Sequence, residues 1–329
     1  MKNENRGSTG KADAPGDPKQ ASPSSARAPD LRTAVQGGRA GDGVEPLLRA
    51  LETVRDRCPE GFVEDADPVR FPRRFGGKAD AEAAGWFAAL LAYGRRDLFL
   101  GILERFFALL PTDLADGLRR FDPARDARRF FPLRYRFNTG ADLALAAAVL
   151  GRVLRGHEDL EAYFGSFKAG GAGDVSEALR GMLRDLRARL DSLAGHPAFR
   201  GRTGTPLFLF PDPDGASSLK RPFLFLRWMV RREAPDLGLW TGIDPGRLVM
   251  PLDVHVFRLA RRLGLTHRSS PGLPAAREVT AAFRRLCPED PLRWDFALSW
   301  WGTTRCGGGE GPCDPSVRTT CPLAAMCRL

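Results

Sequence analysis

Apolar residues recur along most of this 329-residue chain at the three- and four-residue spacing of an α-helix, and alternating strand patterns are scarce. The clearest case is residues 251–265, where apolar side chains fall at i, i+3, i+4 and i+7 and arginines lie between them. This spacing puts one apolar stripe on one face of a helix. The sequence therefore predicts an all-α fold, with further helices over residues 79–93, 97–110, 141–154, 160–164, 175–193, 219–232, 273–286 and 291–301.

Three segments differ in composition. Residues 1–43 are rich in Gly, Pro, Ser and mixed charge, with no aromatic residue, and cannot offset the entropy cost of ordering. We expect a disordered tail there, a helical domain over residues 44–302 and a cysteine-containing loop over residues 303–329. Within the domain, residues 195–218 break the helical pattern, and a long irregular loop of this kind is usually functional or mobile.

The net charge of +10 comes almost entirely from arginine. Such an excess favours a polyanionic partner, although codon bias in a GC-rich genome gives the same composition. Residues 119–138 hold seven arginines interleaved with five aromatic residues. Arginines and aromatic rings bind phosphates and stack on bases, but a helix with aromatics inside and arginines outside has the same composition.

No apolar run is long enough to span a bilayer, and the N-terminus has no apolar signal-peptide segment. We therefore expect a cytoplasmic protein with no membrane contact. Nothing in the sequence indicates an obligatory protein partner.

Asp253 stands at the start of the helix predicted over residues 253–263. A carboxylate at that place accepts the free N–H groups of the first helical turn, and the helix dipole favours its negative charge. The ordinary interpretation of Asp253 is therefore a helix cap. A catalytic interpretation comes from a resemblance.

The run around Asp253 resembles the segment that carries the catalytic aspartate in the endonuclease III superfamily of helix-hairpin-helix DNA glycosylases. The matching positions are Leu252, Asp253, Val254, His255, Val256, Arg258, Arg262 and Leu263. The resemblance implies a two-lobed helical fold that acts on a nucleotide flipped out of double-stranded DNA. It also implies that Asp253 is the catalytic carboxylate and that His255 and Arg258 contact nucleic acid.

Some members of that superfamily also use a lysine just after a glycine-rich hairpin to attack the sugar. Lys220 is similar in position, Arg221 beside it would lower its pKa, and Gly215 stands where the hairpin glycines would hold a phosphate. The hairpin signature itself is absent, and Lys220 lies 33 positions before Asp253. An exposed lysine at a helix start is the alternative interpretation.

Residues 86–107 are similar to the glycosylase helix pair in which one helix ends in a polar elbow near the flipped nucleotide. Tyr93, Arg95 and Arg96 occupy this elbow, and the resemblance implies that they bind nucleic acid. The alternative is that these elbow residues are merely solvated.

Four cysteines close the chain, with six, seven and five residues between them: Cys306, Cys313, Cys321 and Cys327. Four thiols this close in a cytoplasmic protein are typical of metal ligands. The run CPLAAMC resembles the end of the iron–sulfur loop of endonuclease III, although the middle interval is longer here. The resemblance implies a [4Fe-4S] cluster with a structural role, and zinc is the alternative.

Residues 44–302 also resemble an uncharacterised bacterial family known only as a domain of unknown function. The runs that carry this resemblance include FPRRFGGKADAEAAGWFAALLAYGRRD, LKRPFLFLRWMVR and PLDVHVFRLARRLGL. From the glycosylase resemblance we expect a DNA-repair protein that excises a damaged base, with or without an accompanying lyase activity. The alternatives are a nucleic-acid-binding protein that keeps the fold without catalysis, and a zinc-containing scaffold.

Overall fold

The computed structural model describes residues 44–59, 67–167, 173–306 and 314–328. The tail predicted over residues 1–43 lies outside them. The described part is mostly helical, which confirms the predicted all-α class. None of its helices is both long enough and apolar enough to cross a membrane.

The elements run in chain order. The α-helices are α1 (Val44–Asp56), α2 (Lys78–Leu91), α3 (Arg96–Phe107), α4 (Leu114–Arg119), α5 (Pro123–Asp126), α6 (Gly140–Gly156), α7 (Leu160–Gly165), α8 (Ser176–Ala194), α9 (Lys220–Val230), α10 (Val254–Arg262), α11 (Leu273–Leu286), α12 (Asp295–Thr304) and α13 (Pro315–Thr320). Short 3-10 helices lie at Pro68–Arg70, Pro72–Arg74, Ala127–Phe130, Pro206–Phe208 and Pro245–Arg247. Two short strands, β1 (Arg134–Tyr135) and β2 (Asn138–Thr139), pair antiparallel.

Helix α2 forms the centre of the core, and every side chain from Ala81 to Leu91 is buried. The alanines and the glycine of α2 add little bulk to the helix surface, so that α9 packs closely against it. A Cβ atom on Gly85 would lie 2.8 Å from the Cε atom of Met229 in α9. This close packing fixes the start of α9, and hence Lys220, beside the C-terminal end of α2.

Helix α6 packs on α4 and α8 and begins with a reciprocal cap. The Thr139 hydroxyl accepts the N–H of Asp142, and the Asp142 carboxylate accepts the N–H of Thr139. The same carboxylate accepts the N–H groups of Gly204 and Thr205. Buried Asp142 thus fastens the irregular segment before Pro206 to the start of α6.

The remaining helices bring the two ends of the described chain together. Helix α12 packs against α10 and also against α1. Beyond α13, buried Leu323 and Met326 hold the C-terminal segment on the core. The N–H of Arg328 donates to the carbonyl of Arg262 at the end of α10, with an N···O distance of 2.7 Å.

Candidate active site

A cavity of about 410 Å³ lies where the C-terminal end of α2 meets the starts of α9, α10 and α12. Its walls mix carboxylates, cations, hydroxyls and aromatic rings. The lining residues are Asp67, Pro68, Ala92, Tyr93, Gly94, Arg96, Phe99, Lys220, Leu224, Arg227, Pro251, Asp253, His255, Asp295, Phe296, Ser299, Trp300 and Thr303.

Lys220 is the first residue of α9 and follows an unusual backbone turn. The residue before it, Leu219, has a φ of 54°, a left-handed conformation that L-residues other than Gly, Asn and Asp seldom adopt. Burial of the Leu219 side chain and a hydrogen bond from its N–H to the Ser217 hydroxyl hold this conformation. The turn directs the chain into α9 with Lys220 at the cavity wall.

Asp253 caps α10, as its position predicts. Its Oδ1 atom accepts the N–H groups of His255 and Val256, with N···O distances of 2.9 and 2.8 Å. Its Oδ2 atom accepts a hydrogen bond from the Ser299 hydroxyl of α12. One oxygen therefore fixes the carboxylate to its own helix, and the other faces the cavity.

The structure brings Lys220 and Asp253 together. The Nζ atom of Lys220 lies 3.5 Å from Oδ2 of Asp253, although the two residues are 33 positions apart in the chain. The lysine side chain is 38% exposed and the aspartate side chain 13% exposed, so the amine stands at the open side of the pair. The cavity lining thus contains an amine and a carboxylate in direct contact.

A buried ion network underlies the carboxylate wall. Arg227 of α9 contacts Asp295 at 2.6 Å and Asp236 at 3.0 Å, and all three side chains are buried. Burial disfavours the charged guanidinium, but the two carboxylates outweigh burial and raise the pKa of Arg227. Burial raises the pKa of Asp295 to about 6, against the opposing effect of Arg227.

Asp67 adds a third carboxylate to the cavity, on the chain segment that precedes α2. Its Oδ1 atom accepts the N–H of Val69 and caps a short 3-10 helix. Burial raises the pKa of Asp67, and the Val69 N–H acts in the opposite direction. Three carboxylates and three cationic side chains therefore line one small space: Asp67, Asp253, Asp295, Lys220, Arg96 and Arg227.

His255 lies in the first turn of α10 and also lines the cavity. Its Nδ1 atom is buried and has no hydrogen-bond partner within the described chain. A buried polar atom without a partner is uncommon, because burial removes its hydrogen bonds to water. His255 therefore carries an unsatisfied ring nitrogen in the wall of the cavity.

The predicted elbow residues divide between the cavity and its surroundings. Tyr93 and Arg96 line the cavity, whereas Arg95 is exposed and pairs with Asp97. Tyr93 also donates a hydrogen bond from its hydroxyl to Oδ1 of Asn138. Burial raises the pKa of the Tyr93 hydroxyl, so it remains a donor at neutral pH.

Arg221 turns away from Lys220. Its guanidinium donates to the carbonyls of Leu90 and Phe208 and lies over the rings of Tyr93 and Phe208. Burial lowers the pKa of Arg221 to about 10. Arg221 therefore fastens the start of α9 to the end of α2.

Two predicted contacts lie apart from the cavity lining. Gly215 belongs to a turn whose neighbouring Asp214 carboxylate binds Arg180 and Arg184. Arg258 is half-buried on α10, and neither residue lines the cavity.

The C-terminal cysteines are described in part. Cys306, Cys321 and Cys327 are half-buried and form no disulfide with one another, and Cys306 and Cys321 pack against the core. Cys313 lies outside the described residues. Among the residues that are described, no three His, Cys, Asp or Glu side chains gather closely enough to hold a metal ion.

Several residues that line the cavity were not predicted from the sequence. Asp295 and Ser299 are spaced i, i+4 on the helix predicted over residues 291–301, so both lie on one face, and this spacing was a usable signal. Asp67 gave no such signal, because only its contacts in the folded chain bring it to the cavity.

The fold and site define an all-α protein with an acid–amine cavity at the junction of four helices. A family model described as "Protein of unknown function (DUF2400)" matches residues 67–304, and the chain belongs to that family. No curated protein and no solved structure matches the chain.

Proposed function

We propose that this protein is a helix-hairpin-helix glycosylase-like enzyme that excises a damaged base from DNA, with Lys220 as nucleophile and Asp253 as catalytic carboxylate. The observation that supports this proposal best is the 3.5 Å separation of the Lys220 Nζ and Asp253 Oδ2 atoms inside one cavity. A cavity of about 410 Å³ falls within the usual range for small-molecule sites and accepts a single nucleotide better than a duplex.

The two groups have complementary roles in such a reaction. The ammonium of Lys220 first gives one proton to the Asp253 carboxylate or to solvent. The amine lone pair then forms a bond to the sugar C1′ atom while the C1′–N bond to the base breaks, and the departing base takes the bonding pair and a proton. The C1′–O4′ bond then breaks: O4′ takes the bonding pair and one proton from the adduct nitrogen, and that nitrogen forms the C=N bond of a protonated imine on Lys220.

Asp253 has a second contribution in this scheme. Once a proton taken from Lys220 has passed from Asp253 to the departing base, the restored negative charge stabilises the cationic character that develops at C1′. The two N–H groups of α10 and the Ser299 hydroxyl hold the carboxylate in place, so little reorganisation is needed during the reaction.

The test is borohydride trapping on a panel of lesion-bearing DNA duplexes. Reduction of the imine gives a stable protein–DNA adduct, which we expect for the unaltered protein and not for Lys220→Ala. Lys168→Ala is the matched control, because it also removes one amine. Asp253→Asn should slow adduct formation by about a hundredfold or more. Absence of both an adduct and base release across the panel would contradict the enzyme proposal.

A non-catalytic nucleic-acid-binding protein is the second candidate. The observation that favours it is that Asp253 already caps α10, accepts the Ser299 hydroxyl and pairs with Lys220, as a purely structural acid does. Salt-dependent binding to DNA that is unchanged in Asp253→Asn, with no base release, would select this candidate.

We further propose that Cys306, Cys313, Cys321 and Cys327 bind a [4Fe-4S] cluster, with zinc as the alternative. Support comes from the donor set, because four thiolates suit both metals, and the three described cysteines form no disulfide with one another. When bound, the cluster would supply a structural cross-link at the C-terminus. The anchoring of this segment to α10 through Arg328 would then connect the cluster to the helix of Asp253.

A further inference from the structure

A group of aromatic rings and guanidiniums stands beside the cavity and has no role in the scheme above. We name it the aromatic rim and define it as Tyr93, Phe137, Phe208, Arg136 and Arg221. The rings of Tyr93 and Phe208 are 4.8 Å apart, and those of Phe208 and Phe137 are 5.2 Å apart. The Arg221 guanidinium lies 4.8 Å from the Phe208 ring centre, and that of Arg136 lies 5.4 Å from the Phe137 ring centre.

The rim is continuous with the cavity. Tyr93 belongs to both, and Arg221 follows Lys220 in the chain. Gly94, which lines the cavity, lies against the Arg136 side chain, since a Cβ atom there would stand 2.8 Å from Arg136 Nη1. A polymer with one unit in the cavity would therefore lay its neighbouring units on the rim.

The outer part of the rim is exposed. Phe137 is 54% exposed and Phe208 is 37% exposed, which is a large accessible area for adjacent phenyl rings. Phe137 occupies the tip of the β1–β2 hairpin, and its carbonyl accepts a hydrogen bond from the Thr205 hydroxyl. The backbone of the tip is thus anchored while the ring faces solvent.

The hairpin is held in a strained conformation at this place. Arg136 has a φ of 51°, and the register leaves Arg136 and Phe137 as a two-residue loop. Tight hairpin loops of this kind favour Gly, Asn or Asp where φ is positive, so an arginine there carries a conformational penalty. Such strain is often found at binding sites, and here it presents a guanidinium and a ring side by side.

The charge around the rim indicates the chemistry of the occupant. Arg134 and Arg136 of the hairpin form no salt bridge within the described chain. Neither does Arg202, whose carbonyl accepts the Thr139 hydroxyl and whose guanidinium lies over the Phe131 ring. Many other described arginines pair with a carboxylate, including Arg95, Arg120 and Arg184. Unpaired guanidiniums beside exposed rings match a strand that alternates phosphates with flat bases.

We propose that the aromatic rim binds unpaired nucleotides of a single DNA strand by stacking a base on Phe137, while Arg134, Arg136 and Arg202 contact the phosphates. This inference rests on the proposed function of the cavity and extends it to the neighbouring nucleotides. An unpaired strand fits better than a duplex, because bases inside a duplex are already stacked on each other and have no free face.

The test is the affinity of the full-length protein for a short single-stranded oligonucleotide that carries the fluorescent base 2-aminopurine. We expect binding to quench the fluorescence by stacking. Phe137→Ala should weaken binding about tenfold, equivalent to about 1.4 kcal/mol, because the base loses its stacking partner. Phe137→Leu should weaken it nearly as much, whereas Phe137→Trp should retain it. Arg232→Ala, which removes an exposed charge outside the cavity and the rim, is the control and should change affinity much less.

Equal affinity for Phe137→Ala and the unaltered protein would overturn the proposal. So would self-association that Phe137→Ala abolishes while DNA binding is unchanged, since a second copy of the chain would then cover the rim. Because this test requires no excision, its failure is separable from failure of the enzyme proposal. DNA binding that depends on Phe137 but gives no trapped adduct would contradict only the enzyme proposal. A trapped adduct whose formation does not depend on Phe137 would contradict only the proposal for the aromatic rim.

Discussion

The hydroxyl of Ser218 donates a hydrogen bond to the carbonyl of Leu252, with an O···O distance of 3.1 Å, and both residues are buried. Ser218 stands two residues before Lys220, and Leu252 stands one residue before Asp253. This single bond therefore ties together the two chain segments that carry the amine and the carboxylate. This bond adds to the packing of α9 on α2 in placing Lys220 beside Asp253.

Ser218→Ala tests this connection. The substitution leaves a buried carbonyl without its partner, so we expect the free energy of unfolding to fall by about 1–2 kcal/mol. We also expect the yield of the Lys220–DNA adduct to fall more than the affinity for DNA, because Lys220 and Asp253 would no longer be held at the correct separation. Chemical denaturation and borohydride trapping measure the two effects. Ser192→Ala, at an exposed serine, is the control, and an equal effect there would contradict the argument.

The ion network below the cavity gives a second prediction. Within the described chain, Arg227 is the only cationic side chain that contacts both buried Asp236 and buried Asp295. We expect Arg227→Met to lower the free energy of unfolding by about 3–5 kcal/mol, because it leaves both carboxylates without this partner. Asp295 has a folded-state pKa of about 6, raised from 3.8 by burial. A raised acid pKa favours the folded state at low pH, and this advantage is lost as the pH rises from about 4 to 6.

Without Arg227, whose charge lowers the pKa of Asp295, that pKa rises further. The loss caused by Arg227→Met should therefore be larger at pH 8 than at pH 5. The double variant Arg227→Met, Asp295→Asn removes one of the two carboxylates and should regain part of the stability. Denaturation curves at the two pH values decide this, and a loss that does not depend on pH would refute the assignment.

The helices of the site follow from local pattern. The helix predicted over residues 253–263 is observed at Val254–Arg262, and the one predicted over 219–232 is observed at Lys220–Val230. In both, strong amphipathic spacing agrees with the burial that the fold imposes. Asp253 was identifiable as an N-cap for the same reason, since a cap is a local feature.

The parts that were not predicted depend on contacts between distant segments. The β1–β2 hairpin is held by the Asn138 amide, which donates to the carbonyl of Thr205, and by the hydroxyl of Thr205, which donates to Phe137. Hydrogen bonds between distant segments leave no periodic pattern in the sequence. The same reason explains Asp67. The contact of Lys220 with Asp253 likewise joins two distant segments, which the bond from Ser218 to Leu252 also links.

Glu82 gives a third prediction, in the core rather than the cavity. This buried carboxylate accepts the indole N–H of Trp240 and the N–H of Leu160, and it lies near Lys78 and Asp159. Burial raises its pKa from 4.5 to about 7. Protonation thus favours the folded state, and its contribution to stability falls as the pH rises from about 4.5 to 7.

We expect the free energy of unfolding to decrease between pH 5 and pH 8, with Glu82 contributing on the order of 3 kcal/mol to that decrease. Glu82→Gln should lower stability at pH 5 and flatten the pH dependence. Glu161→Gln, which also removes a contact to Lys78 but at a more exposed place, is the control. An unchanged slope in Glu82→Gln would exclude this carboxylate as the source.

The cysteine proposal predicts the metal content of the protein. Protein purified without oxygen should contain iron and sulfide, absorb at the blue end of the visible spectrum, and lose both in Cys321→Ser and Cys327→Ser. Cys58→Ser is the control, because Cys58 lies outside the C-terminal spacing and burial raises the pKa of its thiol to about 11. Zinc in place of iron would select the alternative metal, and absence of any metal would refute the site.

The strained turn at Arg136 gives the last prediction. Arg136→Ala and Arg136→Gly both remove the guanidinium, so they differ only in how the backbone tolerates a φ of 51°. A residue with a Cβ atom in the left-handed conformation destabilises the folded state by about 1–2 kcal/mol. Glycine avoids this penalty, but its larger loss of backbone entropy on folding offsets part of the gain. We therefore expect the glycine variant to be more stable than the alanine variant by about 0.5–1 kcal/mol in chemical denaturation. The same pair at Arg134, in ordinary strand conformation, should show the opposite order, because glycine weakens a strand. If alanine were the more stable at both positions, the hairpin tip would not be strained, and presentation of Phe137 would need another cause.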